Sequence, residues 1–203
     1  MDRPEVGELV TTSAALDMLG PAYTWRTPVL ADGDISGGEL RGNLYLQGRG
    51  DPKLVAERLW LLMRRIKALG IDTVLGTMDV SDSFFTGPRR PEAWEPHHFD
   101  TWYGAEISAL SYNDNTFALN VSAAEKPGAP PVISVIPDVG YVRVINRART
   151  VKGRRNGLGA TLHANTTTVT VTGRVGVESG SRAWLLPVRN PPMYFRAALL
   201  TAL

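Results

Sequence analysis

The amino-acid sequence predicts an α/β fold, α+β overall, from three of its stretches. Residues 42–69 begin with a short apolar run between glycines and continue as an amphipathic segment, the pattern of a buried strand, a turn and a helix. Residues 73–81 alternate in the manner of a strand. Residues 131–186 hold four β-rich segments separated by breaks that contain proline, glycine or aspartate. A strand–helix–strand unit followed by a β-rich region is therefore expected.

The first part of the chain predicts a helix and a strand. Leucine and alanine recur at helical spacing over residues 9–19, and Gly20-Pro21 stops the pattern. Residues 24–30 read as a strand, and residues 31–38, rich in glycine and aspartate, read as a polar turn. Both segments precede the central unit.

The central helix is predicted from its start signal, its apolar stripe and its stop signal. Asp51 is expected to accept hydrogen bonds from the first free amides, with Pro52 at the first helical position. One apolar stripe follows at helical spacing: Val55, Leu59, Leu62, Ile66 and Leu69. Gly70 stands where a left-handed residue ends a helix. The strand at residues 73–81 is expected to pair in parallel with the strand before the helix.

The β-rich region is predicted to form a small antiparallel insert. Its segments are residues 132–136, 141–145, 161–172 and 174–186. After it, Pro191-Pro192 precede a helix predicted over residues 193–203, because proline is tolerated at the start of a helix.

Composition is typical of a globular protein and excludes several functions. The 203 residues suffice for one large or two small domains, and 43% hydrophobic residues suffice for a packed core. The 22 basic and 20 acidic residues leave a net charge of +2, which gives no case for nucleic-acid binding. The absence of cysteine excludes disulfides, thiolate metal sites and cysteine nucleophiles. No apolar run approaches the roughly 18 residues of a membrane span, and residues 1–5 do not open a signal peptide.

Several motifs together resemble one protein family. Residues 44–54 read Leu-Tyr-Leu-x-Gly-x-Gly-Asp-Pro-x-Leu. They are preceded by Leu-Asp-Met-Leu-Gly-Pro at residues 16–21 and Trp-Arg-Thr at residues 25–27, and followed by Ile-Ser-Ala-Leu-Ser-Tyr-Asn-Asp-Asn at residues 107–115. In this order the motifs resemble the D-alanyl-D-alanine carboxypeptidase/endopeptidase family of class C low-molecular-mass penicillin-binding proteins, over nearly the whole chain.

The resemblance implies a domain organisation and an activity. Residues 1–30 would be the N-terminal piece of a partial penicillin-binding, β-lactamase-like domain, and residues 31–118 with 183–203 an inserted α/β domain. Residues 119–182 would form a nested antiparallel β domain. A complete family member is a serine-type hydrolase that acts on peptidoglycan stem peptides, needs no cofactor and works on the extracytoplasmic or periplasmic side of the membrane.

The residues that carry the family's chemistry are missing from the sequence. The resemblance places a Ser-x-x-Lys motif immediately before residues 9–12, and Glu5 and Glu8 stand at the positions of the serine and the lysine. An acylating serine needs a base one helical turn away, and a carboxylate cannot form the same acyl-enzyme. The residues three positions before the four lysines are Gly50, Arg64, Ala123 and Arg149. The sequence therefore contains no Ser-x-x-Lys, and it contains no Lys-Thr-Gly either.

Three hypotheses follow from these absences. We predict a catalytically incomplete fragment or degenerate copy of such an enzyme, which neither hydrolyses stem peptides nor binds penicillin covalently. A noncatalytic peptidoglycan-binding module is the alternative, and an active half of a split enzyme is a third hypothesis, against which Glu5 and Glu8 argue. The first and last helices are expected to carry apolar faces without partners in this chain, so self-association through exposed apolar surface is expected.

A loop that spans residues 83–102 is the predicted substrate-binding element. The resemblance implies that an aspartate followed by an aromatic residue binds the amine of the diaminopimelate side chain in the stem peptide. Asp100 with Trp102 or Tyr103 fits that spacing. A carboxylate beside an aromatic ring attracts an ammonium group through charge pairing and cation–π interaction. The alternative is a surface loop held in place by buried aromatic side chains.

Three further motifs are assigned no catalytic or metal-binding role. The side chains of the adjacent His97 and His98 are expected to diverge, and no third ligand lies at a recognised spacing, so no metal site is predicted. Residues 111–113 have the Ser-x-Asn spacing of a penicillin-binding protein's second motif, but in the family that motif follows the inserted domains. The basic side chains of residues 147–155 predict a solvated turn or, alternatively, a contact with anionic cell-wall polymers.

Overall fold

The computed structural model describes the backbone of residues 4–202 and the side chains of residues 7–202. The helices are α1 (Pro4–Leu19), α2 (Ala56–Ala68) and α3 (Pro191–Ala202). The first seven strands are β1 (Val29–Ala31), β2 (Asp34–Ser36), β3 (Glu39–Arg41), β4 (Leu44–Gln47), β5 (Thr73–Val74), β6 (Met78–Ser81) and β7 (Thr116–Ser122). The others are β8 (Val132–Ile136), β9 (Arg143–Asn146), β10 (Arg149–Val151), β11 (Asn156–Leu162), β12 (Thr168–Gly176) and β13 (Arg182–Pro187). The predicted α/β class is confirmed.

The predicted strand–helix–strand unit is present, with β4 and β6 on either side of α2. The two strands pair in parallel, with Leu44 opposite Met78, and β1 joins β4 in antiparallel orientation. Residues 73–81 do not form one strand, because the chain crosses between two small sheets. Its first part, β5, pairs with β3, and the N–H of Gly76 then donates to the carbonyl of Gly42 at 3.0 Å before β6 begins.

Helix α2 begins at Ala56, so the prediction of a start at Asp51 and Pro52 was wrong. Asp51 Oδ1 instead accepts the N–H of Lys53 at 2.9 Å within a separate turn. The free amide of Ala56 donates to Oδ1 of Asn113, 57 residues further along the chain, at 3.1 Å. The sequence predicts Asp51 as the N-cap of α2, but a tertiary contact with Asn113 caps the helix instead.

The apolar stripe of α2 is confirmed in part. Leu59, Met63 and Ile66 are buried, at the spacing of one helical face. Leu69 is 72% exposed, because the helix has already ended at Ala68. Gly70 follows with a φ of +84°, the left-handed conformation predicted for the stop.

The β region contains parallel as well as antiparallel pairs. Strand β7 lies between β13 and β8 in an antiparallel sheet, and β11 and β12 form an antiparallel pair. Strands β9 and β10, however, both pair in parallel with β12, so the prediction of a purely antiparallel insert was wrong there. Strand β12 is nine residues long, and successive parts of it accommodate the two short partners.

Strand boundaries in two other segments also differ from the predictions. Residues 161–172 do not form one strand. They contain the end of β11 and the beginning of β12, because Asn165 adopts a φ of +55° and the chain turns back between the two strands. Of residues 24–30, only the last two belong to β1, and the predicted polar turn at residues 31–38 contains the exposed strand β2. Strands β7 and β13 cross the predicted domain boundaries, and the division into domains stays a prediction.

The two terminal helices differ in their packing. On α3, six side chains are buried in the core: Pro191, Pro192, Tyr194, Phe195, Ala198 and Leu199. The expectation that the last helix has an unpartnered apolar face was therefore wrong. On α1, the apolar side chains of Leu9, Leu16 and Met18 are exposed, as expected, and self-association through them stays a prediction. Among the described residues, no helix combines the length and the apolar character that crossing a bilayer requires.

Candidate ligand-binding site

The predicted substrate loop is part of a long connection between β6 and β7, and charged contacts fix its path. Arg89 binds Asp82 at 2.9 Å, and Arg90 binds Glu106 at 3.2 Å. The guanidinium of Arg90 also lies 4.5 Å from the centre of the Phe99 ring, a cation–π distance. Although the connection contains only short 3₁₀ turns, the segment before Asp100 is thus tied to both ends of the loop.

Asp100 is held by an arginine that the sequence did not single out. Oδ1 of Asp100 accepts a hydrogen bond from Nη2 of Arg189 at 2.5 Å, and Nη1 of Arg189 donates to the carbonyl of Phe99 at 2.9 Å. The side chain of Arg189 is 9% exposed, whereas that of Asp100 is 67% exposed. Arg189 is therefore buried under the loop, and it holds the carboxylate of Asp100, which faces solvent.

The two aromatic residues of the predicted site follow in a 3₁₀ turn that spans Trp102–Gly104. Both rings are about half exposed and nearly perpendicular, with centroids 5.6 Å apart, and Tyr103 also contacts the ring of His98. Gly104 permits this arrangement, because a Cβ there would lie 1.9 Å from the carbonyl oxygen of His98. The loop thus exposes Asp100 and, in the 3₁₀ turn that follows it, Trp102 and Tyr103.

Two cavities adjoin this loop. One, of about 390 Å³, is lined by Ala93, Trp94, Glu95, His98, Tyr103 and Gly104. The other, of about 420 Å³, lies on the opposite branch of the loop, where Asp82, Arg89 and Ser108 contribute polar atoms. Of the three predicted site residues, Tyr103 borders the first cavity, and Asp100 makes its contact with Arg189 instead.

Tyr141 connects the arginine to the β region. Its hydroxyl donates to the carbonyl of Arg189, and the N–H of the next residue, Asn190, donates to Oε2 of Glu106 at 3.2 Å. Burial, with a smaller effect from the negative charge of Glu106, raises the pKa of Tyr141 to about 12. The phenol therefore stays protonated and remains a hydrogen-bond donor at neutral pH.

The other candidate residues are found at three separate places. The side chain of Glu5 lies outside the described residues, and Glu8 is exposed on α1. Ser111 Oγ donates to the carbonyl of Ser108 at 3.1 Å and accepts from Nδ2 of Asn115 at 3.0 Å, contacts that stabilise the loop before β7. The basic side chains of residues 147–155 are exposed.

His97 and His98 do not diverge as expected. Their ring centroids are 3.9 Å apart, and Oε2 of Glu95 lies 3.1 Å from Nδ1 of His97. The expectation of diverging side chains was wrong, because Pro96–His98 forms a 3₁₀ turn in which the two rings come together. No local pattern in the sequence predicts that Arg189 would contact Asp100.

Comparisons with known structures define the class of fold. The crystal structure of penicillin binding protein 4 (dacB) from Haemophilus influenzae matches with a TM-score of 0.77 at 24% identity, over 96% of this chain and 43% of that one. The same protein complexed with a novel β-lactam matches with a TM-score of 0.66 at 22% identity, over 96% of this chain and 41% of that one. The fold is thus that of a part of a penicillin-binding protein.

Sequence comparisons identify the family. The model of the D-Ala-D-Ala carboxypeptidase 3 (S13) family matches residues 7–203, so the chain belongs to this family. It is 32% identical over 192 residues to a D-alanyl-D-alanine carboxypeptidase of Actinomadura sp. (strain R39), covering 91% of this chain. It is 27% identical over 128 residues to the D-alanyl-D-alanine carboxypeptidase DacB of Haemophilus influenzae, covering 63% of this chain. The predicted family is confirmed.

The chain spans only part of these relatives, 35% of the Actinomadura protein and 27% of DacB. The family match begins at residue 7, so Glu5 lies outside it and Glu8 lies inside it.

Proposed function

We propose that this chain is a catalytically incomplete member of its family that binds peptidoglycan stem peptides through the loop around Asp100. The reaction of the whole enzyme would be the serine-type carboxypeptidase or endopeptidase cleavage of those peptides. Its place of action would be the cell-wall side of the membrane. Family membership and the chemistry of the loop support this proposal.

The absence of acylating groups supports the catalytic part of the proposal. None of the four lysines has a serine three residues before it, so no serine of this sequence has the lysine of a Ser-x-x-Lys motif as its base. Ser111 and Asn113, which imitate a second motif, are engaged in hydrogen bonds inside the loop or to α2. The polypeptide as given should therefore form no acyl-enzyme.

The observation that carries the binding part is the exposed carboxylate of Asp100 on its buried arginine. Because Arg189 binds Oδ1, the orientation of the carboxylate is fixed while 67% of the side chain faces solvent. Under this proposal an ammonium group would bind Oδ2, and the exposed ring of Trp102, two residues further along the chain, would add a cation–π contact. Fixing the acceptor in advance lowers the conformational entropy that is lost on binding.

A second role for Asp100 is structural, and the same ion pair favours it. A carboxylate bound to a nearly buried guanidinium holds the loop against the segment before α3, whether or not a ligand binds. The two roles differ in what Trp102 does, because its exposed ring contributes to ligand binding only under the first.

Labelling with a fluorescent penicillin tests the catalytic part. We expect no covalently labelled band under conditions that label a full-length penicillin-binding protein. A labelled band would refute the assignment. Repeating the reaction with Ser111→Ala would then show whether Ser111 is the nucleophile.

Titration with a soluble stem peptide that contains diaminopimelate tests the binding part. Asp100→Asn and Trp102→Ala should each weaken binding at least about tenfold, the equivalent of roughly 1.4 kcal/mol, in the range of a charge-assisted contact or a cation–π pair. Asp138→Asn and Trp60→Ala are matched controls, since Asp138 is exposed and Trp60 has the same 56% exposure as Trp102. A peptide whose side-chain amine is acetylated should bind weakly to all forms. Equal affinity of the wild type and both loop variants would leave only the structural role.

A further inference from the structure

Three side chains with metal-binding atoms converge at the edge of the smaller cavity. The donor atoms of Glu95, His97 and His98 all lie within 4.8 Å of one another. Nδ1 of His97 is 3.1 Å from Oε2 of Glu95, and the two imidazole rings meet at 72° with centroids 3.9 Å apart. Two imidazoles and a carboxylate thus point toward a common volume.

The backbone holds these donors in place. Glu95 precedes the 3₁₀ turn Pro96–His98, and its carbonyl accepts the N–H of His98 at 3.0 Å. The carbonyl of His98 accepts the hydroxyl of Thr101 at 2.5 Å, and the Cα of Gly104 packs against the same carbonyl. Proline fixes one φ angle of the turn. Only the side chains, not the backbone, would have to adjust to a bound ion.

We propose that Glu95, His97 and His98 bind one divalent transition-metal ion, for which Zn²⁺ is the best match. Two histidines and one glutamate are a ligand set that Zn²⁺ takes in proteins, and Zn–N bonds of about 2.0 to 2.1 Å place tetrahedral ligands about 3.3 Å apart. Glu95 and His97 already approach this separation. Both side chains are exposed, so no packed neighbour limits the adjustment that a bound ion would need. Ca²⁺ and Mg²⁺ would require oxygen donors in place of the two imidazoles.

The site would leave a coordination position open. Three protein ligands complete only part of a tetrahedral shell, and the fourth position is then taken by water or by a ligand oxygen. Glu95 and His98 also line the cavity of about 390 Å³ together with Tyr103, so this position would be accessible from the cavity. The proposal is independent of stem-peptide binding by Asp100, which does not line the cavity.

The histidine content of the chain makes a direct test possible. The sequence has three histidines and no cysteine, so His163 is an internal reference. It lies in the β region, where its Nε2 is 2.7 Å from Oγ1 of Thr170. Zn²⁺ added to the full chain without an affinity tag should perturb the imidazole resonances of His97 and His98 with one-to-one stoichiometry. The resonances of His163 should stay unchanged. Perturbation of His163 instead, or no saturable change at millimolar Zn²⁺, would overturn the proposal.

Calorimetric titration of variants completes the test. His98→Ala should weaken Zn²⁺ binding at least about tenfold, because even partners outside the ligand shell typically contribute tenfold to hundredfold. Glu95→Gln should also weaken it, whereas His163→Gln should bind as the wild type does. The circular dichroism melt of each variant controls for folding. Unchanged affinity in both His98→Ala and Glu95→Gln would contradict the assignment of ligands.

Discussion

Helices α1 and α3 are both rich in leucine and alanine, but only α3 is packed. Every side chain described on α1, from Gly7 to Leu19, is exposed. On α3, Tyr194, Phe195 and Leu199 are fully buried. An apolar helical sequence therefore indicates that a partner surface is needed, while the rest of the chain decides whether that surface is supplied.

The partner surface of α3 comes from distant parts of the chain. The ring of Tyr194 lies 5.4 Å from those of Tyr112 and Tyr141, and Nε of Arg196 donates to the carbonyl of Met78 at 2.9 Å. By contrast, the side-chain hydrogen bonds recorded on α1 stay within the helix, as that from Thr12 to the carbonyl of Glu8 does. Strand β6, the connection between β6 and β7, and the segment between β8 and β9 thus position α3.

Hydrogen exchange should give the largest difference between the two helices. An isolated 16-residue helix is marginal in water, and the side chains that the structure describes on α1 are all exposed, so α1 should open at almost no cost. Amides in α3 should exchange only through global unfolding, and the two opening free energies should differ by about 5 kcal/mol or more. Mass spectrometry at low protein concentration measures both.

The same experiment tests self-association. If the exposed side chains of α1 associate between copies, protection of α1 should rise with protein concentration, while that of α3 should not change. Slow exchange in α1 at every concentration would contradict the unpartnered state of this helix.

Truncation of one side chain in each helix should give the next largest contrast. Phe195→Ala should lower the free energy of unfolding by about 3 to 5 kcal/mol, because a fully buried ring leaves a cavity. Leu16→Ala should change it by less than about 0.5 kcal/mol, since Leu16 is exposed. Urea denaturation measures both, and similar losses would show that α1 contributes to the cooperative core.

Local sequence patterns predicted the elements whose stabilising contacts are local. The apolar run in β4, the stop at Gly70 and the parallel pairing of β4 with β6 all follow from residues within one unit. The start of α2 did not, because Asn113 supplies its cap from 57 residues away. The parallel pairing of β9 and β10 with β12 likewise depends on the tertiary path of the chain.

Only those residues of the candidate site that belong to a motif of the family could be predicted from the sequence. The resemblance to the family predicts Asp100, Trp102 and Tyr103 as binding residues; the structure shows all three side chains exposed, and their role in binding stays a prediction. Arg189, which holds Asp100, lies 89 residues away, and no pattern connects the two residues. The convergence of His97 with His98 depends on the turn between residues 95 and 98, which the prolines and charges of that loop do not specify.

Replacing Arg189, two residues before α3, should change stability less than Phe195→Ala does, and Arg154 is a matched arginine for comparison. Arg189→Met should lower the free energy of unfolding by about 1 to 3 kcal/mol, because hydrogen bonds to Asp100 and to the carbonyl of Phe99 are lost. The exposure of Asp100 keeps the loss in this modest range. Arg154→Met removes an exposed pair with Glu178 at 3.6 Å and should have no measurable effect. Equal midpoints in urea for the two variants would mean that the Arg189 contacts do not stabilise the fold.

Alkaline pH should also act on the surroundings of α3. Burial raises the pKa of Tyr141 from 10.0 to about 12 and raises that of Tyr194 as well, whereas α1 contains no tyrosine. Between pH 10 and 12 the unfolded chain binds fewer protons than the folded chain, so the free energy of unfolding should fall as pH rises. Below pH 10 this contribution is fully present.

Tyr141→Phe should make that decline shallower, because one of the shifted groups is removed. The variant should also be less stable at neutral pH, since the hydrogen bond to the carbonyl of Arg189 is lost. Tyr23→Phe, at an exposed position, is the matched control and should follow the wild type. Urea titrations at pH 8, 10 and 11 separate the two effects, because the lost hydrogen bond shifts the whole curve and the lost titration changes its slope. An unchanged slope in Tyr141→Phe would mean that the phenol titrates alike in the folded and the unfolded chain, and that result would remove Tyr141 from the packed surroundings of α3.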